Sequence, residues 1–172
     1  MADDVRGPFR PTVRPRDQRA GQAARDRHAD VVIEPADLIL PLFVREGAGV
    51  DQPVASMPGV SQMSPDVAVK TMRACLDTGL RRFMLFGITE PDKKDATGSA
   101  ALDANNPVNQ TIRAVREADL NVELFADLCF CEYTDHGHCG VLHDDPDITV
   151  DNAATPHLLG QQACLLAAPG PE

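Results

Sequence analysis

The sequence predicts an α/β fold with a parallel sheet, and three observations predict it. Short, nearly unbroken apolar runs alternate with stretches of helical periodicity. The stretch after the first run opens on Ser-Pro-Asp and the next on Pro, a helix-start signature. The 172-residue chain is 43% hydrophobic and 24% charged, enough apolar material for a core.

Residues 1 to 35 read as an arm. Its first 28 positions carry seven Arg and four Asp and no Ser. Pro8, Pro11 and Pro15 prevent a long helix before about Asp17. Gln18 to Val32 has room for a short one. The arm is either a solvated tail or a segment that packs on a neighbouring subunit.

Residues 36 to 172 form the second domain. Leu38 to Val44 (LILPLFV) suits a strand buried on both faces, with Pro41 marking a bulge or the strand end. After a loop containing Met57-Pro58-Gly59, Ser64-Pro65-Asp66 opens a helix with Val69, Met72 and Leu76 on one face and Gly79 as its terminator. Arg82 to Ile88 is a second strand. A polar loop from Thr89 to Asn106 leads to a helix starting at Pro107, with Val108, Ile112 and Val115 inward. Val122 to Cys129 is the third strand. A last helix starts at Thr155-Pro156 and runs through Leu158, Leu159 and Leu166. Such alternation gives right-handed βα crossovers, either in an open doubly wound sheet or in part of a (β/α)8 barrel. A full barrel takes ~250 residues, so this chain holds fewer than half its units. No Gly-rich fingerprint follows the first strand, which disfavours dinucleotide binding.

Sixteen basic and 26 acidic residues give a net charge of -10. That argues against the nucleic-acid-binding class and against attraction to anionic membranes. No apolar run reaches ~18 residues, so neither a secretory signal nor a membrane span is expected. Of five Cys, three fall within eleven residues beside two His. This pattern points to metal or reactive thiols in a reducing, cytoplasmic compartment. Cys75 and Cys164 fall on helices as core or neutral positions.

The segment Asp127-Leu128-Cys129-Phe130-Cys131-Glu132-Tyr133-Thr134-Asp135-His136-Gly137-His138-Cys139-Gly140 follows the third strand, where parallel α/β folds place their sites. If the extended form persists, Asp127, Cys129 and Cys131 share a face, with Leu128 and Phe130 opposite. The loop to Cys139 is long enough to return a third thiolate. Three thiolates suit zinc, with His136, His138 or water as the fourth ligand. Three protein ligands with an open position is the arrangement of a catalytic zinc. Cys129-x-Cys131 is not the Cys-x-x-Cys redox spacing, which ranks a thiol redox module last.

The same segment closely resembles the metal loop of zinc-dependent porphobilinogen synthases (5-aminolevulinate dehydratases). DLILPLFVREG at 37 to 47, SMPGV at 56 to 60, Leu85-Phe86-Gly87, KKDATGSA at 93 to 100 and VDNAAT at 150 to 155 agree with it. The resemblance runs from about Asp37 to about Ala163. It implies a (β/α)8 barrel with an N-terminal arm that wraps a neighbour in a homo-oligomer. The activity implied is condensation of two 5-aminolevulinate molecules to porphobilinogen, in haem and tetrapyrrole synthesis. It also implies Cys129, Cys131 and Cys139 as zinc ligands, Asp127 as an acid-base or orienting group beside them, and His138 as a group orienting ligands or water. A regulatory Mg2+ belongs to some members.

The family's two Schiff-base lysines lie on later strands. The lysines here are Lys70, Lys93 and Lys94, on the first barrel helix and in the polar loop. The expectation is therefore a truncated barrel, inactive and poorly soluble alone because strand edges and apolar helix faces stay uncovered. The alternative function is a non-catalytic zinc-binding fragment.

Overall fold

The computed structural model describes residues 15–143 and 150–168. Pro8 and Pro11, and the final Pro169 to Glu172, lie outside the described residues. The chain divides into two compact units, residues 1–34 and 35–172.

In the first unit, a 3₁₀ turn at Pro15–Arg19 precedes helix α1, Gln22–Arg27. The helix is shorter than the span 18 to 32 allowed. Gly21 before it has φ 92° and none of its residues is buried. A helix of six residues without an apolar face gains little beyond local bonds such as Gln22 to Asp26 at 2.6 Å. Beyond it, Val31, Val32 and Ile33 are about 70% exposed.

The second unit is a five-stranded sheet with helices. Its strands are β1 (Ile39–Val44), β2 (Asp51–Pro53), β3 (Ser61–Met63), β4 (Arg82–Gly87) and β5 (Glu123–Ala126). Their spatial order is β2-β3-β1-β4-β5, all parallel except the β2–β3 pair. Helix α2 (Pro65–Leu76) connects β3 to β4, and α3 (Pro107–Glu117) connects β4 to β5. Both pack on one face of the sheet and on each other. On that face Leu40, Leu42 and Val44 lie level with Phe83, Leu85 and Gly87, and Leu124 and Ala126 continue the rows. Ala68 and Met72 of α2, and Val108, Ile112 and Val115 of α3, complete the core. Each large apolar side chain sealed here contributes about 1.5–3 kcal/mol. The opposite face carries Phe43, Met84, Phe86 and Phe125, all part-exposed, with the Phe43 and Phe86 rings 5.7 Å apart.

Pro41 marks neither a bulge nor an end; it sits in the middle of β1, level with Met84. The Val44 carbonyl accepts from Ile88 on the β4 side, while the Arg45 N–H donates to Met63 on the β3 side. Alternation then points the backbone of Pro41 toward β3, which pairs with β1 only at Phe43 and Val44. No ladder donor is lost.

Helix α2 starts at Pro65 as expected, but the Ser64 side chain accepts from no backbone N–H of the helix. Its hydroxyl accepts from Val50 N–H and donates to Asp66. The helix ends at Leu76, and Gly79 (φ 87°) lies three residues beyond it. The Asn106 side chain caps α3 by accepting from Asn109 N–H at 2.9 Å. No helix among the described residues is long and apolar enough to cross a membrane.

Candidate metal centre

Strand β5 stops at Ala126, three residues short of the expected Cys129. Asp127 adds one more bond, from its N–H to the Leu85 carbonyl. The chain then turns: the N–H groups of Tyr133 and Thr134 both donate to the Phe130 carbonyl. Strand alternation therefore does not set the directions of Cys129 and Cys131. Leu128 and Phe130, expected on one face, differ completely: Leu128 is exposed and Phe130 fully buried.

Phe130 is what forces the turn. It seals a second small core with Ala101 and Tyr133, packed by Leu158 and Leu159 of helix α4 (Ala154–Ala167). Gly98, at φ 64°, lies so close that a Cβ there would stand 2.5 Å from a Phe130 ring carbon. Gly87, the last residue of β4, leaves the same kind of space for the Tyr133 hydroxyl. The polar loop is tied to this core. Asp95 N–H donates to the Tyr133 carbonyl, and Asp135 N–H donates to the Asp95 carbonyl. The Asp95 carboxylate accepts from Thr97 and Ser99, which holds it well below the usual carboxylate range.

This scaffold brings the three expected cysteines together. The sulfurs of Cys129, Cys131 and Cys139 all lie within 4.8 Å of one another, and the first two are 3.3 Å apart. Tetrahedral coordination at Zn–S about 2.3 Å separates sulfurs by about 3.8 Å, so the trio fits one ion with small adjustments. Cys129 and Cys131 are half-buried and Cys139 is exposed. Among the described residues this is the group of three or more His, Cys, Asp or Glu close enough to share an ion. Burial, then the neighbouring sulfurs, pushes the Cys131 thiol up to about 12, and contact with Cys129 raises Cys139. Thiols packed this way resist sharing negative charge. A coordinated divalent cation reverses that preference, since it deprotonates a ligand thiol outright.

Asp127 lies within electrostatic reach of Cys139 and Tyr133, and burial raises its carboxyl. Tyr133 is nearly buried, its phenol pushed up to about 12 by burial and then by the charges of Asp127 and Glu132. Neither His136 nor His138 joins the sulfur group. The His138 N–H donates to His136 Nδ1, and its carbonyl accepts from the Thr134 hydroxyl at 2.9 Å. The two imidazoles stand 5.5 Å apart.

Asp95, Gly98, Thr155 and Gln162 hold this loop; the sequence marks the first two only within KKDATGSA and Thr155 only as a helix start within VDNAAT, and it does not mark Gln162. The Asx and Ser/Thr spacing D-x-T-x-S at 95 to 99 is the local signal for the Asp95 turn. Two of the three lysines pair with carboxylates. Lys93 pairs with Glu46 at 2.5 Å, which raises its ammonium, and Lys70 pairs with Asp66 on the surface.

Parallel strands joined by helices, with three thiols gathered just past the last of them where they could hold a metal ion, define an α/β protein with a candidate metal site. The delta-aminolevulinic acid dehydratase family model matches residues 12–172, and the chain belongs to that family. It is 42% identical over 162 residues to the delta-aminolevulinic acid dehydratase of Streptomyces coelicolor, covering 93% of this chain and 48% of that protein. The Mycobacterium leprae enzyme of the same name is 44% identical over 147 residues, covering 84% of this chain and 44% of its own length. A crystal structure of the Toxoplasma gondii enzyme (porphobilinogen synthase), in complex with the reaction product porphobilinogen, superposes with a TM-score of 0.80 at 31% identity. That match covers 95% of this chain and 45% of the other. The chain thus spans about half the length of these relatives, and its sheet is part of a (β/α)8 barrel rather than an open doubly wound sheet.

Proposed function

We propose that this chain carries the metal-binding part of a porphobilinogen synthase, which condenses two 5-aminolevulinate molecules to porphobilinogen. The observation that carries this reading is the convergence of three thiol sulfurs within 4.8 Å, just beyond β5, in a chain of this family. Three thiolates suit zinc, a borderline-soft cation, and with one position open it would polarise a substrate carbonyl or bound water. Cys129, Cys131 and Cys139 would hold it. Asp127, close by and with its carboxyl raised by burial, is the group proposed to act as acid-base or to orient substrate beside the thiols. His138 is the group proposed to orient water or substrate at the exposed Cys139 side. Its backbone is fixed by Thr134 and His136, so its ring has a defined origin.

The second reading, a non-catalytic zinc-binding chain, is favoured by the lysines. Schiff-base chemistry needs an amine of lowered pKa, obtained by burial or a neighbouring cation. Lys93 is shifted the opposite way by Glu46, and Lys70 is exposed. Metal analysis tests both readings: one zinc per chain is expected, lost in Cys131→Ser, and a metal-free wild type refutes both. Borohydride trapping with 5-aminolevulinate separates them. A covalent adduct favours catalysis by this chain, and none favours the metal-binding role alone. Assembly into a homo-oligomer belongs to the catalytic reading and is read by sedimentation.

A further inference from the structure

Helix α4 has an apolar composition, yet the side chains it buries completely or nearly so are polar: Thr155 at 6% exposure and Gln162 at 0%. Both reach the loop that holds the three cysteines. Gln162 Nε2 donates to the Cys129 carbonyl at 3.3 Å. Thr155 Oγ1 accepts from Val141 N–H at 3.2 Å. These two residues are seven positions apart, about two helical turns, so they project from the same side of α4. Their partners, Cys129 and Val141, bracket all three cysteines. Next to Val141, Gly140 admits Thr155 so closely that a Cβ there would meet its Oγ1 at 2.5 Å. Gln162 Oε1 is buried and has no hydrogen-bond partner, so the amide at this position gains nothing from its second polar atom. An apolar side chain would fill the space without that cost. What it would lack is the donor to Cys129.

We propose that Gln162 and Thr155 are positioning residues for the metal centre: α4 grips the cysteine loop at both ends and sets the spacing of the thiolates. The inference rests on the metal-binding reading above. Hydrogen bonds to groups around a metal fix ligand orientation, and their loss typically lowers metal affinity 10–100-fold. Neither side chain touches a sulfur in this scheme. Gln162 acts through the ligand's own backbone, and Thr155 through the residue two beyond Cys139.

The experiment measures zinc affinity of the full chain by chelator competition, and the ligand-to-metal absorption of the cobalt(II) form. Gln162→Met and Thr155→Val remove each grip; Thr155→Ser keeps the hydroxyl; Leu166→Ala loosens α4 on the main core without touching the loop. Each grip variant is expected to bind zinc about ten-fold more weakly, with a displaced cobalt–thiolate band. Thr155→Ser and Leu166→Ala should keep the wild-type band and affinity. Unchanged affinity and spectrum in Gln162→Met and Thr155→Val overturn the inference while leaving the metal site intact. An equal loss in Leu166→Ala also overturns it, because the effect would then be general loosening. Should Gln162→Met fail to fold, the Thr155→Val and Thr155→Ser pair decides alone. Wild type that binds no zinc sinks the metal-binding reading, an outcome separate from these.

Discussion

Replacing Gly98 with Ala tests whether the polar loop and the cysteine loop form one packed unit. Gly98 has φ 64°, and a side chain held in that region costs about 1–2 kcal/mol. The added Cβ would stand 2.5 Å from a Phe130 ring carbon and 3.3 Å from Thr134 Cγ2. Ordinary carbon contacts are about 3.5–4.0 Å, so the Phe130 ring has to move by roughly 1 Å. Phe130 is fully buried, so its ring can shift only by displacing its neighbours. Overpacking of this kind costs about 1–3 kcal/mol. The expected destabilisation of Gly98→Ala is therefore about 2–5 kcal/mol, a drop in melting temperature of roughly 5–15 °C for a chain of this size. Because Phe130 stands between two of the thiol ligands, zinc affinity should fall with it. Urea and thermal unfolding of the metal-free protein give the first quantity, and chelator competition the second. Phe130→Leu removes the clashing ring carbon, so the double variant should be less destabilised than the two singles summed. A Gly98→Ala protein within 0.5 kcal/mol of wild type, or strict additivity with Phe130→Leu, would refute the packing argument.

Two further outcomes follow from the charges. Cys131 and Cys139 both titrate above the ordinary thiol value of 9.0, so both are protonated at pH 7, and the metal must displace their protons. Zinc binding should release at least two protons, and apparent affinity should climb at least about 100-fold per pH unit between pH 6 and 8; a flat profile contradicts this. The Asp95 carboxylate is held below its ordinary 3.8 by Ser99 and Thr97, so its stabilisation is present above that value and lost as pH falls further. Because Asp95 is half-exposed, Asp95→Asn is expected to cost only about 1 kcal/mol at pH 7, by urea unfolding, with the difference shrinking below pH 4.

Local patterns made the βα alternation, the helix starts at Pro65 and Pro107, and the inward face of α3 legible in the sequence. Their causes act within a turn or two of helix. The end of β5 was not legible, because Phe130 is drawn into a core made by Ala101 and α4. That pull overrides the alternation that would have carried the strand to Cys129. The place of Pro41 inside β1 was not legible for a similar reason: its missing donor is harmless only because β3 pairs late with β1. The cysteine cluster was legible as residue types at a spacing. Its supports were not, since Gln162 lies 33 residues from the carbonyl it holds, and Asp95 pairs with Thr134 across the same kind of gap. The leucines of the apolar run in α4, Leu158, Leu159 and Leu166, are only part-buried. The residues that α4 seals most completely are Thr155 and Gln162.

The central claim is that Cys129, Cys131 and Cys139 hold one zinc. X-ray absorption at the zinc edge on the purified full chain, alongside metal analysis, tests it most directly. One zinc per chain is predicted, with three sulfur neighbours at about 2.3 Å and a lighter atom completing the shell, falling to two sulfurs or to no zinc in Cys139→Ser. A chain that purifies and reconstitutes without zinc, or a sulfur count unchanged by Cys139→Ser, would contradict it.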